Sequence, residues 1–347
     1  MSLPTLDDLD GVKGAKVLAR LDLNVPVKDG EVMDATRIDA ALPTLRWLLD
    51  RAGVVAACSH LGKAKGEPDP TFSLEPVAAA LGEALGRSVQ FVADCLDDEA
   101  SGAAPGTLLL LENLRFYPGE KANDPEFARR LAAPYNLYVN DAFGTAHRAH
   151  ASVVGVPALY GTGRKAAGFL MGTEVTALDR VVKDPEQPFV AVVGGAKVST
   201  KTAPLEALVK KVSSLLIGGG MANTFFLAKG LEVGRSLVED DMVETARDVL
   251  TAAAERGVDV VLPDDVVVTD SIDDPRHVDV VNPDAVPSDR MIVDLGPQTR
   301  NTYSRTLSTA RTVFWNGPMG VFEVDRFAAG TLAVAEALAA SSAFSVV

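Results

Sequence analysis

The chain has 347 residues, which is long for a single hydrophobic core and predicts two domains. Its 47 acidic against 33 basic residues, a net charge of -14, exclude nucleic acid and anionic membrane surfaces as partners, so any anion must be met by a local basic site. No run approaches the ~18 apolar residues of a membrane span and the N-terminus carries no basic stretch followed by an apolar one, so a cytoplasmic protein is expected.

The first predicted strand is Val17-Leu-Ala-Arg-Leu-Asp-Leu-Asn24, and an amphipathic segment, 34–53, follows it with an acid at its front and Gly53 as its C-terminal cap. Three further strand patterns come in turn: Val54-Val-Ala-Ala-Cys-Ser-His-Leu-Gly-Lys63, Leu108-Leu-Leu-Leu-Glu-Asn-Leu-Arg115 and Leu137-Tyr-Val-Asn-Asp-Ala-Phe-Gly-Thr-Ala-His-Arg148. Each of the four carries a cation beside small polar residues. Strands alternating with helices predict βαβ units on a parallel sheet, whose ligand lies beyond the carboxyl ends of the strands. These loops would therefore converge on a small polyanion. Cys58 and Cys95 lack CxxC or CxxH spacing and are expected as buried free thiols.

A helical pattern at 172–182 meets the polar, proline-bearing junction Lys183-Asp-Pro-Glu-Gln-Pro188, where a hinge is placed. A second strand series follows at 189–193, 214–217, 258–262, 291–295 and 312–315. It ends in glycines, Gly194-Gly195, Gly218-Gly219-Gly220, Gly296-Pro297 and Gly317-Pro-Met-Gly320, where bare backbone can approach a phosphorylated ligand. The expected fold is α/β: two Rossmann-like three-layer domains with parallel sheets, 1–170 for the anion and 189–347 for a nucleotide, joined by a hinge helix and linker over 171–188.

Arg115 and Arg148 are the best-supported anion ligands, because each follows a strand end, although an Arg or His there also serves to cap a neighbouring helix. Asp22 and Asn24 read equally as turn formers before Pro26. Arg37 falls in the first turn of its helix, where a cation opposes the dipole, so an anion is expected nearby. Lys197 and Lys201 are four apart and share one face if a helix begins after Gly195. Gly194-Gly-Ala-Lys-Val-Ser-Thr200 lacks the GxxxxGK[ST] frame, and no GxGxxG follows the first strand. His147 and His150 have no third ligand at a recognisable spacing and there is no HExxH, so no protein metal site is expected.

The segments Arg20-Leu-Asp-Leu-Asn-Val-Pro26, Ser59-His-Leu-Gly62, Leu111-Glu-Asn-Leu-Arg-Phe116, Val139-Asn-Asp-Ala-Phe-Gly-Thr-Ala-His-Arg-Ala-His150, Val193-Gly-Gly-Ala-Lys-Val-Ser-Thr-Lys201 and Trp315-Asn-Gly-Pro-Met-Gly-Val-Phe-Glu323 resemble the phosphoglycerate kinase family, in family order. The resemblance implies reversible phosphoryl transfer between 1,3-bisphosphoglycerate and ADP, giving 3-phosphoglycerate and ATP in glycolysis, by a monomer whose two domains close. Magnesium would enter as the ATP or ADP complex. Asp22, Asn24, Arg37, His60, Arg115 and Arg148 would hold phosphoglycerate, with Leu23, Leu61, Gly62 and Lys63 beside them. Arg37 and Lys197 would stand by the transferring phosphoryl group and Lys201 by the nucleotide phosphates. Gly194, Gly195, Gly218, Gly219, Ile292, Asn316 and Pro318 would line the nucleotide pocket, and Glu323 would accept from the ribose hydroxyls.

The chain departs from the family pattern in three places. Lys63 replaces an arginine, a point charge for a planar bidentate donor. Ile292 replaces a glycine that lies against the adenine, and its β-branched side chain would occupy space the base needs. The third is at Ala343-Phe-Ser-Val-Val347, a strand pattern from which the family continues into a Gly-Gly-Gly-Asp loop and a segment returning to the first domain. The alternative expectation is a catalytically impaired paralogue, or a fragment, that binds the phosphoglycerate anion without efficient turnover.

Overall fold

A computed structural model describes residues 3–347, which divide into two compact units, one running to Thr176 and the other Ala177–Val347. In the first, six strands form one parallel sheet in the order Gln90–Val92, Thr107–Leu111, Val54–Cys58, Lys16–Arg20, Leu137–Asn140, Lys165–Ala167. Successive side chains of a strand point to opposite faces, and both faces of this sheet are covered. Val17, Ala19, Val55, Ala57, Leu108, Leu110, Leu137 and Val139 pack into one core with the helices Thr36–Leu49 and Glu75–Leu85. Leu18, Ala56, Cys58, Leu109, Leu111 and Tyr138 enter a second core with the helix Pro125–Ala132. Unbroken apolar runs are what a strand buried on both sides requires. Cys58 and Cys95 are buried free thiols.

The second unit repeats the plan with five parallel strands in the order Asp259–Val261, Ser214–Ile217, Phe189–Val193, Thr312–Asn316, Phe344–Val346. Phe189, Ala191, Val193, Leu215 and Ile217 face one core, and Val190, Val192, Leu216 and Val313 face the other. Met291–Leu295 is not part of this parallel sheet. It pairs antiparallel with Val266–Thr269, which pairs antiparallel with Val278–Val281 in a separate three-stranded sheet. An apolar run marks a buried strand without marking its partner.

The first helix also ends sooner than its pattern suggests, at Leu49 with Asp50 as its last cap, so Gly53 caps nothing. Gly53 is needed for close approach: a Cβ there would stand 2.5 Å from the Gly14 carbonyl oxygen. The front acid does serve the helix, Asp34 accepting from the Thr36 backbone N–H at 2.8 Å. The helix around 172–182 runs over Phe169–Lys183. Its start is tied down by Asp141, which accepts from the Met171 N–H at 3.0 Å, and by Thr44, whose hydroxyl accepts from the Phe169 N–H at 2.9 Å. Among the described residues no helix is long and apolar enough to cross a membrane.

Candidate active site

The loops beyond the strands Lys16–Arg20, Val54–Cys58, Thr107–Leu111 and Leu137–Asn140 open onto one cavity of about 590 Å3 in the first unit. Asp22, Asn24, Arg37, His60, Gly62, Lys63, Arg115 and Arg148 line it, with Lys121, Gly144 and Thr145, which the sequence did not single out. Five cations thus face one carboxylate. Arg37 is paired with that carboxylate, its Nη1 lying 2.5 Å from Asp22 Oδ2, so the anion its position in the helix called for is Asp22. Leu23 and Leu61 turn into the hydrophobic core instead. Their backbones matter all the same, since the Leu23 N–H donates to Ser59 Oγ and the Leu61 carbonyl accepts from Asn113 Nδ2.

The cavity wall is stitched together by hydrogen bonds between its loops. Asn24 Oδ1 accepts from the Gly62 N–H at 2.8 Å, and the Gly62 carbonyl accepts from Arg115 Nη1 at 2.6 Å. Gly62 has φ +61, and a Cβ on it would run into the Phe72 ring, so glycine is required there. Asn113 ties the loop beneath by donating to the carbonyls of Leu61 and Phe72 while accepting from the Arg115 N–H. Arg115 is left with a buried Nε that has no partner among the described residues. Burial, and the nearby Arg148 and Arg20, push its guanidinium pKa down.

Behind the wall lies a fully buried ion network. Arg20 donates through Nε to Ser152 Oγ at 3.0 Å, through Nη1 to the Leu21 carbonyl, and through Nη2 to His60 Nδ1 at 3.1 Å. Ser152 hands the charge on, its hydroxyl donating to Glu120 Oε1 at 2.6 Å and its N–H to Oε2 at 2.9 Å. A guanidinium can only donate, so Nδ1 of His60 must accept and the ring proton sits on Nε2. Burial and then the charges of Arg20 and Arg115 hold the His60 pKa down to about 2, so the ring stays neutral. A cation inside the apolar run of the first strand was the one sequence signal for this network. Glu120 gave none.

In the second unit a cavity of about 250 Å3 is lined by Gly195, Ala196, Gly219, Gly220, Asn223, Leu237, Ile272, Met291, Ile292, Val293, Asp294, Pro318, Gly320, Val321 and Glu323. The glycines divide by role. Gly195 and Gly219, both at positive φ, stand in the wall, whereas Gly194 and Gly218 make room for neighbouring protein atoms: a Cβ on Gly218 would stand 2.6 Å from the side-chain sulfur of Met319, and one on Gly194 would strike the Pro318 carbonyl. Three bonds lace the loops together, Gly194 N–H to Asn316 O, Gly195 N–H to Pro318 O and Gly219 N–H to Met319 O.

Lys197 and Lys201 do not share a helix face. The helix there begins only at Thr202, because Ser199 gives its N–H and hydroxyl to Glu239 at 3.0 and 2.5 Å and the backbone turns instead. Lys201 donates to Asn316 Oδ1, and Lys197 is exposed. Ile292 lies in the cavity wall with its N–H donated to Ser236 Oγ at 2.8 Å. Asp294 sits beside it, both its oxygens accepting from the one Gly330 N–H, and burial pushes its pKa up to about 6.

Parallel-sheet units with a cation-lined cavity in one and a glycine-walled slot in the other define an α/β protein built to hold small anionic ligands at its strand ends. The family model for phosphoglycerate kinase matches residues 6–347. The chain is 50% identical to the phosphoglycerate kinase of Moorella thermoacetica, covering all of this chain and 88% of that one, and 49% identical to that of Akkermansia muciniphila, covering all of this chain and 87% of the other. Among solved structures, phosphoglycerate kinase from Coxiella burnetii superimposes with a TM-score of 0.87 at 42% identity, over 99% of this chain and 87% of that one; the enzyme from Pyrococcus horikoshii gives 0.81 at 30%, over 98% and 87%. The chain belongs to the phosphoglycerate kinase family. Its reaction is reversible phosphoryl transfer between 1,3-bisphosphoglycerate and ADP, yielding 3-phosphoglycerate and ATP in glycolysis, and its substrates are small molecules. Nothing in these comparisons supports an impaired paralogue.

Proposed function

We propose that the cation-lined cavity of the first unit holds the phosphoglycerate and the glycine-walled cavity of the second holds the nucleotide. The observation that carries this reading is the gathering of Arg37, Lys63, Arg115, Lys121 and Arg148 around one carboxylate in a chain whose net charge is -14. Arg115 and Arg148 offer planar donors to phosphate and carboxylate oxygens, and His60 offers a neutral Nε2–H. Asn24 and Asp22 set the loop and the Arg37 guanidinium in place. Pro318 and Ile292 contact the base, and Glu323 takes the ribose hydroxyls.

An acyl phosphate gives up its phosphoryl group to an ADP oxygen that is already ionised. The bond from phosphorus to the acyl oxygen breaks, the bond to the terminal ADP oxygen forms, and the carboxylate leaves without a proton. No general base is needed, so catalysis rests on alignment and on neutralising charge as it moves. Lys197 and Arg37 are assigned to the transferring group and Lys201 to the nucleotide phosphates. Magnesium arrives with the nucleotide as substrate, since an ion carried on phosphates needs few protein ligands. A monomer in the cytoplasm, with 1–170 and 189–347 as its domains about a hinge at 171–188, completes the reading.

A coupled ATP-formation assay tests the catalytic assignment. Lys197→Met should lower kcat by about 100-fold or more while both KM values change little, the signature of a contact made mainly in the transition state. An unchanged kcat would remove Lys197 from the reaction.

A further inference from the structure

Lys121 enters the cation-lined cavity from the short helix Pro118–Ala122, not from the strand-end loops that carry Lys63, Arg115 and Arg148. Its side chain is exposed, yet its ammonium is held, Nζ donating to the Ala64 carbonyl at 2.7 Å. Arg115 Nη1 does the same for the Gly62 carbonyl at 2.6 Å, so two cations grip the backbone on either side of Lys63. An ammonium has three donors and no acceptor, and this single bond leaves two donors free. Of the five cations lining the cavity, Arg37 is paired with Asp22, while Lys63, Arg115, Lys121 and Arg148 have no ion-pair partner among the described residues. Four unpaired like charges around one cavity repel one another, a cost that a ligand of opposite charge removes.

We propose that Lys121 is a further ligand of the substrate, donating to the phosphate of 3-phosphoglycerate. The inference rests on the proposal that this cavity takes the phosphoglycerate. A compact point charge suits a phosphate, which accepts from many directions, whereas a planar carboxylate favours a two-pronged guanidinium. Lys121 also belongs with Lys63 and Arg115, to which it is joined through the loop 62–66: the Gly66 N–H donates to the Arg115 carbonyl at 3.1 Å. Arg37, assigned to the transferring group, is joined to Asp22 instead. Charge points the same way. A phosphate monoester carries about two negative charges near neutral pH, so a bisphosphorylated substrate brings about four and 3-phosphoglycerate, with its carboxylate, about three. Lys121 is the fourth unpaired cation, and without it the cavity would hold less positive charge than its most highly charged ligand brings negative.

Calorimetric titration with 3-phosphoglycerate tests this on folded Lys121 variants. Lys121→Gln keeps an N–H for the Ala64 carbonyl but removes the charge, and should weaken binding about 10-fold, the low end for a charged contact because solvent and salt reach the side chain. The loss should shrink as ionic strength rises from about 20 mM to about 500 mM. Lys121→Arg, which keeps the charge, should bind within about threefold of the unmodified protein. Unchanged affinity in Lys121→Gln would overturn the proposal. So would an arginine variant as weak as the glutamine one, which would reduce Lys121 to a support for the Ala64 backbone. Arg148→Ala separates this role from the reading beneath it. If Arg148→Ala and Lys121→Gln both leave the 3-phosphoglycerate constant unchanged, the anion lies elsewhere and the cavity assignment fails. If only Arg148→Ala weakens it, the cavity assignment stands and the role of Lys121 alone fails.

Discussion

At His60 the tautomer and the charge are both dictated by a residue one layer further in. Arg20 is fully buried and its guanidinium is anchored by Ser152, the Leu21 carbonyl and, through Ser152, by Glu120. It offers a donor to Nδ1 and repels a proton there, so the ring presents Nε2–H whatever the bulk pH near neutrality. The consequence is an acid liability. An unfolded histidine titrates near its ordinary 6.5, whereas the folded group, at about 2, refuses the proton. Above pH 6.5 neither state is protonated and His60 costs nothing; as pH falls below 6.5 the unfolded chain gains protons the folded one does not, and stability drops by up to about 1.4 kcal/mol per pH unit. His60→Gln, which keeps a neutral polar group, should flatten the difference in unfolding free energy between pH 6.5 and 5. Urea unfolding at stepped pH checks this, and parallel profiles for the two proteins would show that His60 does not titrate as its surroundings demand.

At the scale of elements, much of the architecture was legible because a strand buried on both faces must be an unbroken apolar run, and Val17-Leu-Ala19, Val54–Cys58, Leu108–Leu111 and Phe189–Val193 are such runs. Pairing was not legible to the same degree. Met291–Leu295 looks like its neighbours in sequence yet pairs antiparallel with Val266–Thr269, since partner choice depends on turns and distant contacts that no local pattern carries. Gly53 misled for a related reason. A glycine after a helix suggests a cap, whereas this one leaves room for the Gly14 backbone. Gly53→Val should therefore destabilise the protein by about 1–3 kcal/mol, the range for forcing atoms into a packed site, and a urea midpoint within error of the unmodified protein would refute the close contact. Likewise Lys197 and Lys201 have helical spacing but no helix, because Glu239, forty residues away, captures the Ser199 N–H.

Across the whole molecule, charge is divided by place rather than by amount. In a strongly acidic chain one cavity concentrates cations drawn from three strand-end loops, one helix start and the short helix Pro118–Ala122. The anion side was readable from sequence because Arg and His following apolar runs are unusual enough to notice. Lys121 was missed, as it lies on the short helix Pro118–Ala122 rather than directly after a strand. The central claim is that phosphoglycerate and nucleotide occupy separate cavities, one in each unit. Calorimetry with 3-phosphoglycerate and ADP on two variants tests it most directly. Arg148→Ala should weaken 3-phosphoglycerate binding by about 2 kcal/mol, roughly 30-fold, for a lost charge-assisted contact, and leave ADP within about twofold. Ala196→Trp should do the reverse, abolishing ADP binding and sparing 3-phosphoglycerate. Arg148→Ala with an unchanged 3-phosphoglycerate constant, or both ligands weakened together in each folded variant, would contradict the account.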